Sequence, residues 1–393
     1  MRILLLIKQP FPYGSAYSTR ARAITDMLCA FDNEVTVVCS MGGSTFADRA
    51  YLDAHPSVSR HVVSERQGVL QGIVEVNAYG KKVGKLLATN AYDAVISSSM
   101  YDRIGSVLKS ARYHGVPVIL ESCEWFHFSS WAFGKFDPRY WEFSFAWRHY
   151  FPKADGYITI SRLLENHYSK TGKPVIRVPT ITDVASIVPR VDSPQEDGKI
   201  SLLFAGRFGG TKDDVAPFAR AIASDENLLN SYRLVIVGPS REEVFAREDK
   251  SGSFTTLDAA GALRVTGRLS QEQVEEEYRR ADFGCFARPR RRSSDAGFST
   301  KLGEGMAVGT PFIVNDTGDI LNYVEDGISG FVLQDMNPRD IQTVLNAILR
   351  QSTEERVAMR TAARAVAERF FDWRSYTDDL SRLLSEVTEI RND

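Results

Sequence analysis

Residues Asp282–Asn315 read DFGCFARPRRRSSDAGFSTKLGEGMAVGTPFIVN, a pattern of strand, loop, short helix and second strand. Phe283–Phe286 is a short apolar run, and the polar segment Arg288–Ala296 reads as loop. Gly297, Phe298 and Ser299 then lead into a helix that stops at Gly309, with Pro311 and the apolar run Phe312–Val314 beyond it. Ser299 suits the N-cap, while Gly303, Gly305 and Ala307 let a sheet or a ligand approach closely. A helix that begins just past a strand's carboxyl end presents free N–H groups and a partial positive charge to an anion. Glu304 lies roughly a turn and a half inside it, where a carboxylate meets the neutral polar part of a phosphate-bearing ligand.

Working outward, short apolar runs alternate with amphipathic stretches. Arg2–Ile7, Glu34–Cys39, Asp93–Ser97, Val116–Leu120, Gly156–Ile160 and Val175–Val178 are of strand length in the first half. Ile200–Ala205, Tyr232–Val237, Leu263–Thr266, Asp282–Phe286, Pro311–Val314 and Gly330–Leu333 are their counterparts in the second. This is the signature of βαβ units and parallel sheets, whose ligands bind at the strands' carboxyl ends. With 393 residues, two α/β domains are expected: 1–185 and 199–371, joined by a linker rich in proline and charge, with a final helical segment 372–393.

Hydrophobic residues make up 43% and charged residues 25%, the proportions of an ordinary globular chain. A net charge of −2 gives no general case for nucleic-acid binding. Cys29, Cys39, Cys123 and Cys285 show no C-x-x-C spacing, which favours free thiols in a reducing compartment. The apolar N-terminal run is too short for a signal-peptide core or a membrane span. The expectation is a cytoplasmic protein.

Several segments carry candidate chemistry. Gly14-Ser15 opens a helix after the first strand, where amides can face a diphosphate, but it is no G-x-G-x-x-G fingerprint. Arg20 and Arg22 follow, as helix charges that reach an anion or simply solvate a surface. Glu121, Glu124 and His127 follow a strand end; they suit acid/base work, hydroxyl binding or loop structure, with Glu124 and His127 the catalytic candidates. Lys135–Tyr150 is rich in aromatics. It reads as an amphipathic helix packed on a sheet or, with Arg139 and Arg148, as a surface touching the inner face of a membrane. Gly206–Lys212 places Arg207 and Lys212 five apart on a glycine-rich loop, where two cations can clamp a diphosphate and stabilise a leaving phosphate. Arg288–Arg292 is a dense basic run, read as a solvated loop or as contacts to a polyanion, anionic lipid or phosphate.

The segment GFSTKLGEGMAVGTPFIV, with Glu325–Val332 beyond it, resembles the donor-site signature of retaining GT-B glycosyltransferases (glycosyltransferase family 4-like, group 1). That family's pattern is a glutamate, seven residues and E-A-M-A-x-G-x-P. Glu304–Pro311 matches its second half, whereas the first glutamate is replaced by Ala296, with Asp295 beside it. Gly206–Lys212 resembles the family's G-R-L-x-x-x-K loop, Thr266–Ser270 its x-G-x-V-S segment, Ala154–Ser161 its A-D-G-V-I-T-V-S strand, and Phe371–Trp373 its closing F-S-W. Gly14 matches the first glycine-rich loop, with Ser15 in place of the second glycine.

The resemblance implies an α/β GT-B fold, two doubly wound Rossmann-like domains with an interdomain cleft, and a closing helix that returns to the first domain. It implies a nucleotide-diphosphate sugar as donor and a glycan, lipid-linked or small-molecule acceptor, with no nucleic acid. Arg207 and Lys212 would hold the diphosphate, Gly267 and Leu269 the base, and Glu304 the ribose. Gly297, Phe298 and Ser299 would offer amides to the distal phosphate and sugar, Lys301 would add charge, and Asp295 would stand in for the missing glutamate. No D-x-D stands at the donor site, so no metal and no cofactor are expected. A GT-B sugar-nucleotide epimerase, or a nucleotide-binding homologue without turnover, fits the same clamp.

Overall fold

A computed structural model describes residues 1–39, 45–63, 71–190, 192, 198–206, 213–248 and 250–390. The chain divides into two compact units, Met1–Thr182 with Trp373–Asp393, and Asp183–Asp372.

The first unit is built on seven parallel strands: β1 (Arg2–Leu6), β2 (Glu34–Cys39), β3 (Val58–Val62), β4 (Ala94–Ser98), β5 (Val118–Ser122), β6 (Gly156–Thr159) and β7 (Val175–Arg177). Their order is β3-β2-β1-β4-β5-β6-β7. Strands covered on both faces need continuous apolar runs, and β4 and β5 are buried at every position. Strand β3 was not legible in the sequence: it is a sheet edge, and its centre carries Ser59, Arg60 and His61. The closing helix Thr377–Glu389 belongs to this unit. It buries Leu380, Leu383, Leu384 and Val387 in the core beside Ile3, Ile119 and Ile158. Each such side chain contributes roughly 1.5–3 kcal/mol of transfer free energy. Gly156 makes the fit possible, since a Cβ there would stand 2.7 Å from a Val387 methyl.

The second unit carries six parallel strands: β8 (Ile200–Ala205), β9 (Tyr232–Val237), β10 (Leu263–Gly267), β11 (Phe283–Cys285), β12 (Phe312–Asn315) and β13 (Gly330–Leu333), in the order β10-β9-β8-β11-β12-β13. The helix foreseen after Ser299 spans Thr300–Val308 and ends on Gly309, whose φ of 90° needs no side chain. It is seated by the ring of Phe312, which lies so close to Gly284 of β11 and Gly305 of the helix that neither position has room for a Cβ. One reading is corrected: Arg288–Ala296 is not simply a polar loop. Arg292–Ala296 forms a short helix with Ser293, Ser294 and Ala296 buried.

In each sheet the chain leaves its first strand in one direction and later crosses back to the other side. The reversal falls between β1 and β4 in the first unit and between β8 and β11 in the second. Ligands of open α/β sheets sit outside the carboxyl ends of the strands at these points.

Candidate functional site

Three neighbouring strands of the second unit end on glycines with positive φ: Gly206 after β8 (141°), Gly238 after β9 (119°) and Gly267 at the end of β10 (73°). Their backbones are tied in series, Gly206 N–H donating to Val237 O (2.9 Å) and Gly238 N–H to Gly267 O (2.8 Å). A Cβ on Gly238 would lie 2.6 Å from Gly206 O. The edge is therefore bare backbone, which a bulky anion can approach. Leu269, two residues past Gly267, is half-buried.

Lys301, in the first turn of the 300–308 helix, reaches over this edge. A Cβ on Gly206 would stand 2.6 Å from Lys301 Cε and 2.9 Å from Nζ. The ammonium is anchored by Asp213, Nζ to Oδ2 at 2.6 Å. The same carboxylate accepts from Arg288 Nε at 2.7 Å and from Ser299 Oγ at 3.1 Å. Asp213 and Arg288 are 6% and 3% exposed. Burial pushes the Asp213 carboxyl up, but Lys301 and Arg288 outweigh it and hold the group well below the usual carboxylate range. Beyond Asp213, Asp214 is pinned to Ala287 by two backbone bonds, Asp214 N–H to Ala287 O (2.7 Å) and Ala287 N–H to Asp214 O (2.8 Å). Thus Gly206 and Asp213, which flank 207–212, are both fixed on this edge. Arg207 and Lys212 themselves lie outside the described residues.

Ser299 holds the N-cap position, but its hydroxyl makes no cap bond and serves Asp213 instead. Gly297 is buried, and its carbonyl accepts from Arg288 Nη1 at 3.5 Å. The Phe298 side chain packs edge-on against Tyr323, with ring centroids 5.2 Å apart, which leaves only its backbone for a ligand. Asp295 Oδ1 accepts from Gly318 N–H at 3.1 Å, and Ala296 is fully buried. Glu304 is half-buried. Burial pushes its carboxyl up to about 7, opposed by Lys301. The hydroxyl of Tyr278, whose ionisation is disfavoured by burial first and then by Glu304, is buried without a hydrogen-bond partner.

Asp213 was the side chain of this candidate site that the sequence reading missed, and Arg288 was read only as part of a basic run. The signal was available: an acidic pair, Asp213-Asp214, follows the Arg207–Lys212 loop directly, and Asp214 Oδ1 accepts from Ala216 N–H at 3.0 Å before the next helix.

In the first unit, Gly14 (φ 126°) folds against Pro10, 3.1 Å from where a Cβ would sit. The Ser15 hydroxyl accepts from Ser18 N–H at 3.1 Å and so caps the helix Ala16–Cys29. Arg20 is not a solvated surface charge. It is buried, its Nε donates to Glu121 at 2.6 Å, and its Nη2 donates to Val178 O at 3.0 Å. Tyr17 donates its hydroxyl to the other Glu121 oxygen, which makes Glu121 a structural acid. Glu124 and His127 follow β5 and are half-buried. His127 Nδ1 lies 3.0 Å from Ser129 Oγ and accepts from Ser129 N–H at 3.4 Å. Among the described residues no three His, Cys, Asp or Glu side chains form a metal-ligand group, and no helix is long and apolar enough to cross a membrane.

The glycine edge and the 300–308 helix fall within a stretch that matches a known family model. Residues 189–366 match the model of the glycosyl transferases group 1 family. A D-inositol 3-phosphate glycosyltransferase from Geodermatophilus obscurus is 27% identical over 240 residues, 58% of this chain and 51% of its own length. One of the same name from Streptosporangium roseum is 28% identical over 190 residues, 47% of this chain and 41% of its own. The chain thus spans about half or less of the length of these relatives. Sucrose-phosphate synthase from Thermosynechococcus elongatus superposes with a TM-score of 0.73 over 99% of both chains, at 14% identity. Anabaena HepE, crystallised with UDP and glucose, superposes with a TM-score of 0.67 over 98% of this chain and 99% of its own, at 14% identity. The fold of the chain is GT-B.

Proposed function

We propose that the protein is a retaining, metal-independent glycosyltransferase that moves a sugar, a hexose in the first instance, from a nucleotide diphosphate to an acceptor hydroxyl. The carrying observation is the Lys301 ammonium held over the bare backbone of Gly206 by a buried carboxylate. In this reading Arg207, Lys212 and Lys301 bind the diphosphate, with the amides of Gly297, Phe298 and Ser299 at the distal phosphate and sugar. Gly267 and Leu269 meet the base, and Glu304 in its ionised form accepts from the ribose hydroxyls. The cations stabilise the charge that grows on the leaving phosphate. The bond from the anomeric carbon to the phosphate oxygen breaks, the bond to the acceptor oxygen forms on the same face, and the departing phosphate takes the acceptor's proton. Gly14 and Ser15 serve the turn and its helix in the first instance, and Glu124 and His127 are acid/base candidates on the acceptor side. UDP is the first nucleotide to test, since a neighbour of the same fold was crystallised with it.

A nucleotide-binding homologue without turnover is the second reading. It is favoured by the buried methyl of Ala296 where the family carries a glutamate, and by the engagement of Asp295 with Gly318 N–H. Incubation with UDP-glucose and an acceptor panel under chelation, followed by proton NMR of the products, separates the two. Transfer with the donor's anomeric configuration supports the proposal, and nucleotide binding without any product supports the second reading.

The proposal includes a cytoplasmic location with peripheral membrane contact. Phe133, Phe136, Trp141 and Phe145 are exposed, Phe136 at 92%, beside the exposed cations Lys135, Arg139 and Arg148. Aromatic rings interleaved with cations suit an anionic bilayer surface. Co-sedimentation with phosphatidylglycerol vesicles, lost in Phe136→Ser with Trp141→Ser, tests it; retention of binding in that double variant contradicts it.

A further inference from the structure

Two polar groups on neighbouring helices of the second unit lack a hydrogen-bond partner. One is the Tyr278 hydroxyl, on the helix Gln271–Arg280. The other is the Glu304 carboxyl, to which no group donates among the described residues.

Tyr278 is fixed in place. It is 1% exposed, its carbonyl accepts from Thr310 Oγ1 at 2.7 Å, and its ring centroid lies 6.1 Å from that of Phe312. The ring packs on the 300–308 helix at Gly305, the residue after Glu304, where a Cβ would stand 3.0 Å from Tyr278 Cδ1. A tyrosine hydroxyl sealed from water in this way normally finds an acceptor. Beyond burial, Glu304, Asp213 and Cys285 are the groups near enough to disfavour its ionisation. Asp213 is already taken, since its two oxygens accept from Arg288, Ser299 and Lys301. Cys285 is a buried thiol and a weak acceptor. Glu304 is the acceptor that remains.

Glu304 needs a donor in its turn. Burial pushes its carboxyl up, and the opposing cation, Lys301, stands one turn earlier on the same helix with its ammonium bonded to Asp213. An ionised Glu304 is stabilised by any hydrogen bond made to the charged form. The Tyr278 hydroxyl is a donor with no other use, and it keeps its proton, because burial and then Glu304 hold its own ionisation well above the ordinary range.

We infer that Tyr278 is a positioning residue for Glu304: its hydroxyl donates to one oxygen of the ionised carboxylate and leaves the other oxygen for the ligand. The ribose as that ligand rests on the glycosyltransferase reading, whereas the pairing of Tyr278 with Glu304 does not.

The test begins without nucleotide. Carbon-13 NMR of the full chain, labelled at its glutamates, follows the Glu304 carboxyl, assigned by the signal lost in Glu304→Gln. In Tyr278→Phe, which keeps the ring, that carboxyl should titrate about one pH unit higher than in the parent, with a thermal melt showing that the variant folds. An unmoved titration overturns the inference, whichever nucleotide binds. The second arm is calorimetry at pH 8 with UDP, GDP and their 2′-deoxy counterparts. Tyr278→Phe should weaken the ribonucleotide about fivefold or more, weaken its 2′-deoxy form less, and change nothing further when added to Glu304→Gln. Equal weakening of both forms, or an undiminished effect in the Glu304→Gln background, would make Tyr278 a packing residue and overturn the inference. A titration that moves in Tyr278→Phe while none of these nucleotides binds refutes the nucleotide-site reading alone.

Discussion

Each sheet reverses its strand order beside a lysine–aspartate pair, and the two pairs are built differently. Lys301–Asp213 spans 2.6 Å with an almost fully buried carboxylate that also binds Arg288 and Ser299. Lys8–Asp102 spans 3.1 Å with a lysine side chain that is 46% exposed, and its surroundings are aromatic. The first pair is a rigid fixture next to bare glycine backbone, suited to an anion whose position must not vary. The second shares one carboxylate oxygen between a half-exposed lysine and the buried Arg103. The same topological feature thus carries two different pairings, because the loops past the strand ends differ.

The sharpest way to break this comparison is to remove the two aspartates in turn. Asp213→Ala leaves Arg288 uncompensated in the interior and should cost about 3–5 kcal/mol in urea unfolding. Asp102→Ala removes a half-exposed lysine's partner and one partner of the buried Arg103, and should cost less, about 1–3 kcal/mol. Equal losses would mean that the pairs do not differ as described.

Next in size is Gly238→Ala. It forces a side chain into a positive-φ position and toward Gly206 O. A loss of roughly 2–3 kcal/mol by denaturant titration is expected, with weaker nucleotide binding. The exposed turn glycine Gly261 also has a positive φ (63°) but nothing within 4 Å of its Cβ position. Gly261→Ala should cost about 1 kcal/mol and leave nucleotide binding unchanged.

Glu304 gives a smaller, pH-dependent effect. Its folded-state carboxyl stands at about 7, above the ordinary value. Its contribution to stability is therefore complete at low pH and is lost as pH rises toward and through 7. Glu304→Gln should be more stable than the parent at pH 8, by on the order of 1–2 kcal/mol, and the gap should close near pH 4. On the proposed function nucleotide binding runs the other way, because only an ionised Glu304 carboxylate would accept from both ribose hydroxyls. Affinity should rise several-fold from pH 6 to pH 8 and flatten in Glu304→Gln, measured by calorimetry.

Much of this was legible in the sequence. The strand pattern yields both parallel sheets, since buried strands require the apolar runs seen at Ile200–Ala205 and Val118–Leu120. Gly309 and Pro311 placed the end of the 300–308 helix correctly. What escaped notice follows from tertiary pairing. Arg288 looks like one of four arginines in a solvated run until Asp213, 75 residues away, draws it inside. Arg20 likewise reads as a helix surface charge until Glu121, 101 residues away, receives it. Charge burial depends on a partner that local pattern does not contain. Strand β3 was missed for the complementary reason, that an edge strand can stay polar.

The most direct test of the central claim is calorimetric titration of UDP, GDP and dTDP into the full chain, with Lys301→Met and Arg207→Ala measured beside it. One nucleoside diphosphate should bind without metal, and each substitution should weaken it about tenfold or more. Binding of none of the three, or binding that neither substitution changes, would contradict the assignment of the β8/β11 edge as a nucleotide-diphosphate site.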